Sequence, residues 1–559
     1  MPFKPRPGPA RPARTATAPR WRRPPHDGSS LRMRGDHVGP DGKGRLGVSA
    51  ERDHVTGNRH RPSSPPCCTR RGLYRGPPQG LCSQRPPGAP GRGRVYALSA
   101  LGAVLRHPRP SPPPRSRGSR SHLSRGLAPV TALCLRPPPS LNSAGSRGRM
   151  MPSNKSVSDA PIVQFTNCRI LRSHQLQRED LWVREGKILN PEKLFFEEKG
   201  SADIQLDCKD SIIAPGFIDV QINGGFGVDF SLATDDFKSG IDMVSQKILS
   251  HGVTSFCPTL VTSPPAVYHQ VLPQISVRNG GAHGAGILGA HLEGPFISKE
   301  KKGAHPEHCL RTFEAGAFQD LLATYGSLDC VRIVTLAPEM KRSSEVIREL
   351  TKRGICVSLG HSVANLSQAE DAVQHGATFI THLFNAMLPF HHRDPGIVGL
   401  LTSDKIPAGR RVFYGMISDG IHTNPAALRI AHRAHPKGLV LVTDAIAGMG
   451  LAPGRHTLGQ QVVEIDGLNT YIAGTKTLSG SVATMDTCVR HFQEATGCSV
   501  EIALEAASLH PAQLLGIERK KGTLNFDSDA DFLMLNDDLY VQATYIAGEE
   551  VWRQDALGM

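Results

Sequence analysis

The sequence predicts an α/β chain: a (β/α)8 TIM-type barrel with a small β-sandwich domain built from both ends of the core, behind an N-terminal extension. Three observations carry this expectation. Eight short, nearly continuous apolar runs follow one another from residue 216 onward, as strands buried on both faces do. Segments with a helical stripe separate them, which is the rhythm of a parallel sheet with crossover helices. On either side of that array the pattern changes to alternation, the mark of half-buried antiparallel strands.

The extension comes first. Residues 1–150 contain 27 Arg, 2 Lys and 5 acidic residues, a net charge of +24, whereas the rest of the chain carries −9 of the total of +15. The same segment holds 26 of the 44 prolines. Such a composition buries too little apolar area to offset the entropy of ordering, so residues 1–150 are expected to be disordered. Three readings stay open for it. It is a basic arm for nucleic acid, an Arg- and Ser-rich targeting segment, or translated sequence upstream of a start at Met150 or Met151, absent from the mature protein. The basic character is confined to this segment, so nothing in the core points to nucleic acid.

The small domain is expected from residues 160–213 and 520–556. "IVQFTNCRIL" (162–171) and "DLWVREGKIL" (180–189) alternate apolar and polar residues, and "ADFLMLN" (530–536) and "YVQATYIAGEEVW" (540–552) repeat the style at the other end. The two ends are predicted to pair.

Between them, residues 214–519 are expected to form the barrel. Its runs are "GFIDVQI" (216–222), "VTSFCPTL" (253–260), "GILGAHLE" (286–293), "VRIVTLAP" (331–338), "GICVSLGH" (354–361), "TFITHLF" (378–384), "VFYGMISD" (412–419) and "GLVLVTDA" (438–445). Phe237, Ile241, Val244 and Ile248 lie on one helical face, with Gly252 placed to end the helix. "SSEVIRELTKRG" (343–354) is predicted to open on a serine cap, turn Val346, Ile347 and Leu350 inward and stop at Gly354. A doubly wound open sheet is the alternative architecture, weakened because no glycine-rich dinucleotide fingerprint follows the first run.

No apolar run reaches the ~20 residues that a membrane span needs. The eight cysteines after residue 150 are scattered without a CxxC pair, which fits buried, reduced thiols in the cytosol better than a disulfide framework.

The polar residues at the run ends are the functional signal. Glu293 ends the third run, His361 the fifth and Asp444 the eighth, while His382 lies near the end of the sixth. Taken singly, a histidine at a strand end is an ordinary structural residue. In a barrel, however, the C-terminal strand ends converge on the face where catalytic groups gather. Two imidazoles and a carboxylate there describe a catalytic metal site with an open position for water, and Asp444 beside them is suited to be the base.

These residues and the motifs around them carry a family resemblance. Residues 160–555 resemble the amidohydrolase superfamily, and within it the N-acetylglucosamine-6-phosphate deacetylases. The resemblance rests on "APGFIDVQINGGFGVDF" (214–230), "HLEGPF" (291–296), "KKGAHPEH" (301–308), "LGHS" (359–362), "THLFNAM" (381–387), "HHRDPG" (391–396), "SDGIH" (418–422) and "VTDA" (442–445). Many amidohydrolases carry HxH on the first strand; here Gln221 and Asn223 stand in its place, which implies one divalent metal ion rather than two. The resemblance implies Glu293, His361 and His382 as metal ligands, with Gln221 beside the ion or its water. Zinc is expected first, and cobalt, manganese and iron tolerate the same set. It further implies Asp444 as general acid/base and His305 as donor to the acetyl oxygen. Arg393 and His422 would meet the substrate's phosphate, with Asn385, Ala386, Ala304, Leu478, Ser479 and Gly480 around the sugar. His391 and His392 are expected nearby but not as ligands. The implied substrate is a phosphorylated amino sugar, the implied assembly a homodimer whose interface lies near the phosphate, and no membrane is involved. Two alternatives remain. A non-catalytic scaffold on this fold would usually lack metal ligands that are present here. A dihydroorotase-like cyclic amidase would need HxH on the first strand and often a lysine on the fourth, and "VRIVTLAP" has none.

Overall fold

The structure, a computed structural model, describes residues 158–555 apart from 315, 459, 460 and 477. The extension expected over residues 1–150 lies outside the described residues, as does residue 556.

Eight strands form the barrel: β1 (Phe217–Ile222), β2 (Val253–Val261), β3 (Ala290–Glu293), β4 (Val331–Leu336), β5 (Cys356–Leu359), β6 (Phe379–Ile380), β7 (Phe413–Ile417) and β8 (Leu439–Val442). Every neighbouring pair from β1 to β8 is parallel. The circle closes just beyond the strand ends, where the Asp444 amide donates to the Gln221 carbonyl and the Asn223 amide to the Ala445 carbonyl, both at 2.8 Å. An open doubly wound sheet would leave β1 and β8 as separate edges, so that alternative is set aside.

Two runs are interrupted. The third breaks into Gly286–Ile287 and β3, with Gly289 at φ 125° turning the chain between them. The sixth keeps only two ladder residues before His382 takes a left-handed φ of 26°. Both helices argued from sequence form. Helix Phe237–Lys247 buries Phe237, Ile241 and Val244 and runs through a short turn to Gly252 at φ 76°. Helix Ser343–Lys352 buries Val346, Ile347 and Leu350, but its expected serine cap is not one. Arg342 stands at the cap position, and the Ser343 hydroxyl instead donates to the Pro338 carbonyl at 2.6 Å.

Beside the barrel lie two antiparallel-rich sheets. The run at 162–171 is not a single strand. Asn167, at φ 50°, kinks it, so that Val163–Thr166 joins a four-stranded sheet and Arg169–Arg172 a six-stranded one. The six-stranded sheet unites both chain ends through the antiparallel pairing of Ile212–Pro215 with Phe532–Leu535. Hairpins turn at Glu185–Gly186 and Ala547–Gly548, each with two successive left-handed residues, the backbone that matches strand twist in a two-residue turn. Phe165 from one sheet packs edge-on against Phe532 and Tyr545 from the other, at 5.0 and 5.3 Å.

One buried ion cluster holds the C-terminal segment. Lys521, 8% exposed, reaches Asp531 at 2.5 Å and Asp529 at 3.0 Å. Burial works against the ammonium, but the two carboxylates outweigh it and raise its pKa. Lys521→Met would leave the buried Asp531 without its cation, while Asp529 keeps Lys187. It is expected to lower unfolding stability by about 3–5 kcal/mol, read as a shift of the urea midpoint.

Among the described residues no helix is long and apolar enough to cross a membrane. The eight cysteines they contain are all unpaired, five of them buried.

Candidate active site

Glu293 is the last residue of β3, while His361, His382 and Asp444 each follow the end of their strand by two residues. These last three share a left-handed backbone, at φ 49°, 26° and 47°. That conformation costs roughly 1–3 kcal/mol for a residue with a Cβ. It also takes the chain out of the parallel ladder and sets each side chain over the barrel mouth.

The three expected ligands meet there. His361 Nε2 and His382 Nε2 each lie 3.0 Å from Glu293 Oε1 and 3.0 Å from each other, and all three side chains are buried. Counting protons shows what the cluster can hold. His361 Nδ1 is 2.9 Å from the Lys301 carbonyl, which only accepts, so Nδ1 carries the ring proton and Nε2 presents a lone pair. The carboxylate likewise offers only lone pairs. Such a converging set of N and O lone pairs is the donor set of a divalent cation, and the residues fit one. Electrostatics agrees. Burial alone would raise the pKa of Glu293, yet the His361 and His382 imidazoles beside it hold it well below the carboxylate range. Burial opposes charge on His382, but Glu293 pushes its pKa up to about 9. The buried carboxylate demands positive charge beside it.

Gln221 bridges this cluster to Asp444. Its Nε2 donates to both Glu293 oxygens at 3.1 and 3.2 Å and to Asp444 Oδ1 at 3.2 Å. Its own Oε1 is buried without a partner among the described residues. Asn223 Nδ2 donates to the same Asp444 oxygen at 2.7 Å. Asp444 Oδ2 has no hydrogen-bond partner among the described residues, on a side chain that is only partly buried. Burial, and then the charge of Glu293, raise the Asp444 pKa to about 6. His305 is buried with its ring 4.5 Å from that of His361. Burial pushes its pKa down to about 3, so the ring is neutral.

The remaining expected residues spread outward. Asn385 and Ala386 lie three and four residues past His382, with the Asn385 amide donating to the His382 carbonyl at 2.9 Å, and Asn385 Nδ2 is buried without a partner among the described residues. His422 Nδ1 donates to the buried Asp419 Oδ2 at 2.6 Å, and His422 lies near enough for its charge to lower the Asp444 pKa. Ser481, next after Leu478, Ser479 and Gly480, accepts from the amide of Ile446, two residues past Asp444. Ala304 is exposed beside His305. Arg393 is not drawn into the cluster: it is exposed, with His392 as its side-chain neighbour at 3.4 Å. The rings of His391 and His392 lie tilted against each other, centroids 4.4 Å apart.

Sequence reasoning gave Asn223 no role beyond replacing a histidine, and it missed the layer beneath the site. Asp219 takes hydrogen bonds from the Thr443 hydroxyl at 2.6 Å and the Gln221 amide at 3.2 Å, tying β1 to β8. His291 bonds the Val220 carbonyl and Thr335, which continues to Thr381 and Ser358. The available signal was strand alternation: residues 219, 221 and 223 share one face, as do 291 and 293. Two surface cavities of about 680 and 500 Å³ are lined by other residues, among them Arg410 with Gln513 and Cys208 with Tyr545.

The model of the amidohydrolase family matches residues 212–551. The chain is 74% identical to the N-acetylglucosamine-6-phosphate deacetylase of Homo sapiens over 406 residues, covering 73% of this chain and 99% of that one. It is equally identical to the Bos taurus enzyme of the same name over 403 residues, covering 72% and 98%. Among solved structures, it is similar to a mutant of the Mycobacterium smegmatis N-acetyl-D-glucosamine-6-phosphate deacetylase in complex with N-acetyl-D-glucosamine-6-phosphate. There the identity is 30% and the TM-score 0.59, over 70% of this chain and all of that one.

Proposed function

Because the chain belongs to the amidohydrolase family, we propose that it hydrolyses the N-acetyl group of N-acetyl-D-glucosamine 6-phosphate, giving acetate and D-glucosamine 6-phosphate in amino-sugar catabolism. The observation that carries this reading is the Glu293–His361–His382 triangle with the free oxygen of Asp444 beside it. The names of its relatives supply the substrate.

Glu293, His361 and His382 would hold the divalent metal, zinc in our reading. When bound, that ion supplies Lewis acidity, polarising an amide carbonyl and lowering the pKa of water. Asp444 does the proton work. Its Oδ1 is engaged by Asn223 and Gln221, so Oδ2 takes the proton from the attacking water. As the C–N bond of the tetrahedral adduct breaks, Asp444 returns that proton to the departing amine. A pKa raised to about 6 suits a group that must both accept and donate near neutrality. Neutral His305 donates a hydrogen bond to the acetyl oxygen as negative charge develops on it. Asn385, the backbone of Ala386 and Ala304, and residues Leu478, Ser479 and Gly480 border the sugar, while His422 and Arg393 receive the phosphate. The exposure of Arg393 supports a homodimer in which this arginine reaches the neighbouring subunit's pocket. The eight unpaired cysteines among the described residues support a cytosolic setting.

Acetate release from N-acetylglucosamine 6-phosphate, with and without a chelator, tests the reading. Activity lost on chelation and restored by zinc is expected; no acetate from the metal-loaded protein would overturn it. Arg393→Ala is expected to raise KM for the phosphorylated sugar about tenfold or more, with little change for N-acetylglucosamine itself, since the lost contacts are charge-assisted. Equal effects on both sugars would remove Arg393 from the phosphate site.

A further inference from the structure

We infer that Thr262, at the mouth of the barrel, is a positioning residue that fixes His305 as the tautomer with its proton on Nε2. The inference deepens the proposed function and rests on the reading that His305 donates to the acetyl oxygen.

Thr262 is the first residue past β2 and is 2% exposed. Its backbone amide donates to His305 Nδ1 at 3.3 Å, and its hydroxyl lies 2.7 Å from the same nitrogen. An amide N–H has no lone pair, so a nitrogen in its path must accept. The hydroxyl can turn either way, and with the amide already aimed at Nδ1 it donates as well. A neutral imidazole whose Nδ1 accepts carries its proton on Nε2. Nε2 has no partner among the described residues. Thr262 therefore leaves His305 one donor, on the ring edge away from β2. With the proton on Nδ1 instead, Nε2 would turn a lone pair toward a developing oxyanion and repel it.

The surroundings hold Thr262 to this task. Ser263 donates its amide to the Tyr268 hydroxyl at 2.9 Å, and that hydroxyl is 3.1 Å from the Val261 carbonyl. The backbone is thus pinned on both sides of Thr262. Gly294, immediately after Glu293, passes so close that a Cβ there would sit 2.2 Å from Thr262 Oγ1. Its φ of 80° is left-handed. The glycine of "HLEGPF" therefore makes room for the threonine, linking the ligand strand to the histidine's orienting partner.

The test compares the metal-loaded full chain with Thr262→Val, Thr262→Ser and His305→Gln. Valine keeps the shape and removes the hydroxyl. The expected result is a kcat roughly 5–10-fold lower with KM within about twofold, the scale of one hydrogen bond, and recovery in Thr262→Ser. In ¹⁵N-histidine-labelled protein, the signal lost in His305→Gln should report a protonated Nε2 in the parent and, with only the longer 3.3 Å amide contact left to hold Nδ1 as acceptor, a measurable minor fraction of the Nδ1-protonated tautomer in Thr262→Val. A normal kcat in Thr262→Val while His305→Gln is impaired overturns the inference and leaves the proposed function standing. So does an impairment that serine fails to restore, which marks Thr262 as merely structural. If His305→Gln also turns over normally, the role given to His305 falls with it.

Discussion

Asp444→Asn should keep its metal and lose at least about 10²-fold in kcat, the scale of general acid–base catalysis. Asparagine is nearly isosteric with aspartate, and after glycine it is among the residues best able to adopt the left-handed φ of 47° found here. The local fold should therefore survive. Two donors, Asn223 Nδ2 and Gln221 Nε2, converge on Oδ1, so an asparagine would orient its oxygen toward them. Its NH2 then occupies the place of Oδ2, where a proton acceptor is required. The substitution thus installs a donor in the one position that must accept a proton from water. Steady-state kinetics alongside metal content by mass spectrometry decides the matter. Turnover within about threefold of the parent, at equal metal content, would take Asp444 out of the mechanism.

Much of this site was legible before any coordinates, and the parts that were not share a cause. The strands of the barrel are buried on both faces, so their apolar runs stand out in the sequence. A charged or imidazole side chain at the end of such a run is conspicuous because burial is costly without a partner. Glu293, His361, His382 and Asp444 were readable for that reason. What escaped depends on pairing between distant segments. Asn223 matters only because β1 closes against β8, which brings it to Asp444. Thr262 matters only because residue 305 folds back over the end of β2. Local rules also lost to tertiary ones. Ser343 looked like a helix cap but found the Pro338 carbonyl instead, and the alternating run at 162–171 was divided between two sheets by a single left-handed residue, Asn167. Arg393 was named by the resemblance alone, and its exposed side chain lies apart from the ligand cluster.

Glu293→Gln is expected to weaken divalent-metal binding by at least about 10²-fold and to abolish measurable deacetylation, while leaving the metal-free protein folded. Glu293 Oε1 is the common neighbour of both imidazoles, and the carboxylate is the one anion among the three ligands. Replacing it removes that charge and gives Gln221 Nε2, which now donates to both carboxylate oxygens, one acceptor where it had two. In the metal-free state the loss is mild. His382 no longer has the carboxylate that raises its pKa, so it stays neutral, and a neutral cluster costs less to bury than a charged one. The contrast appears on adding metal. At a zinc concentration 100 times the parent's dissociation constant, binding stabilises the parent by about 2.7 kcal/mol. A 10²-fold weaker site gains only about 0.4 kcal/mol at the same concentration, from the same relation. The parent's Tm should rise by a few degrees with zinc and the variant's should stay nearly still. An equal rise in both proteins would mean that the cation binds elsewhere, and the triangle at the barrel mouth would lose its claim to it.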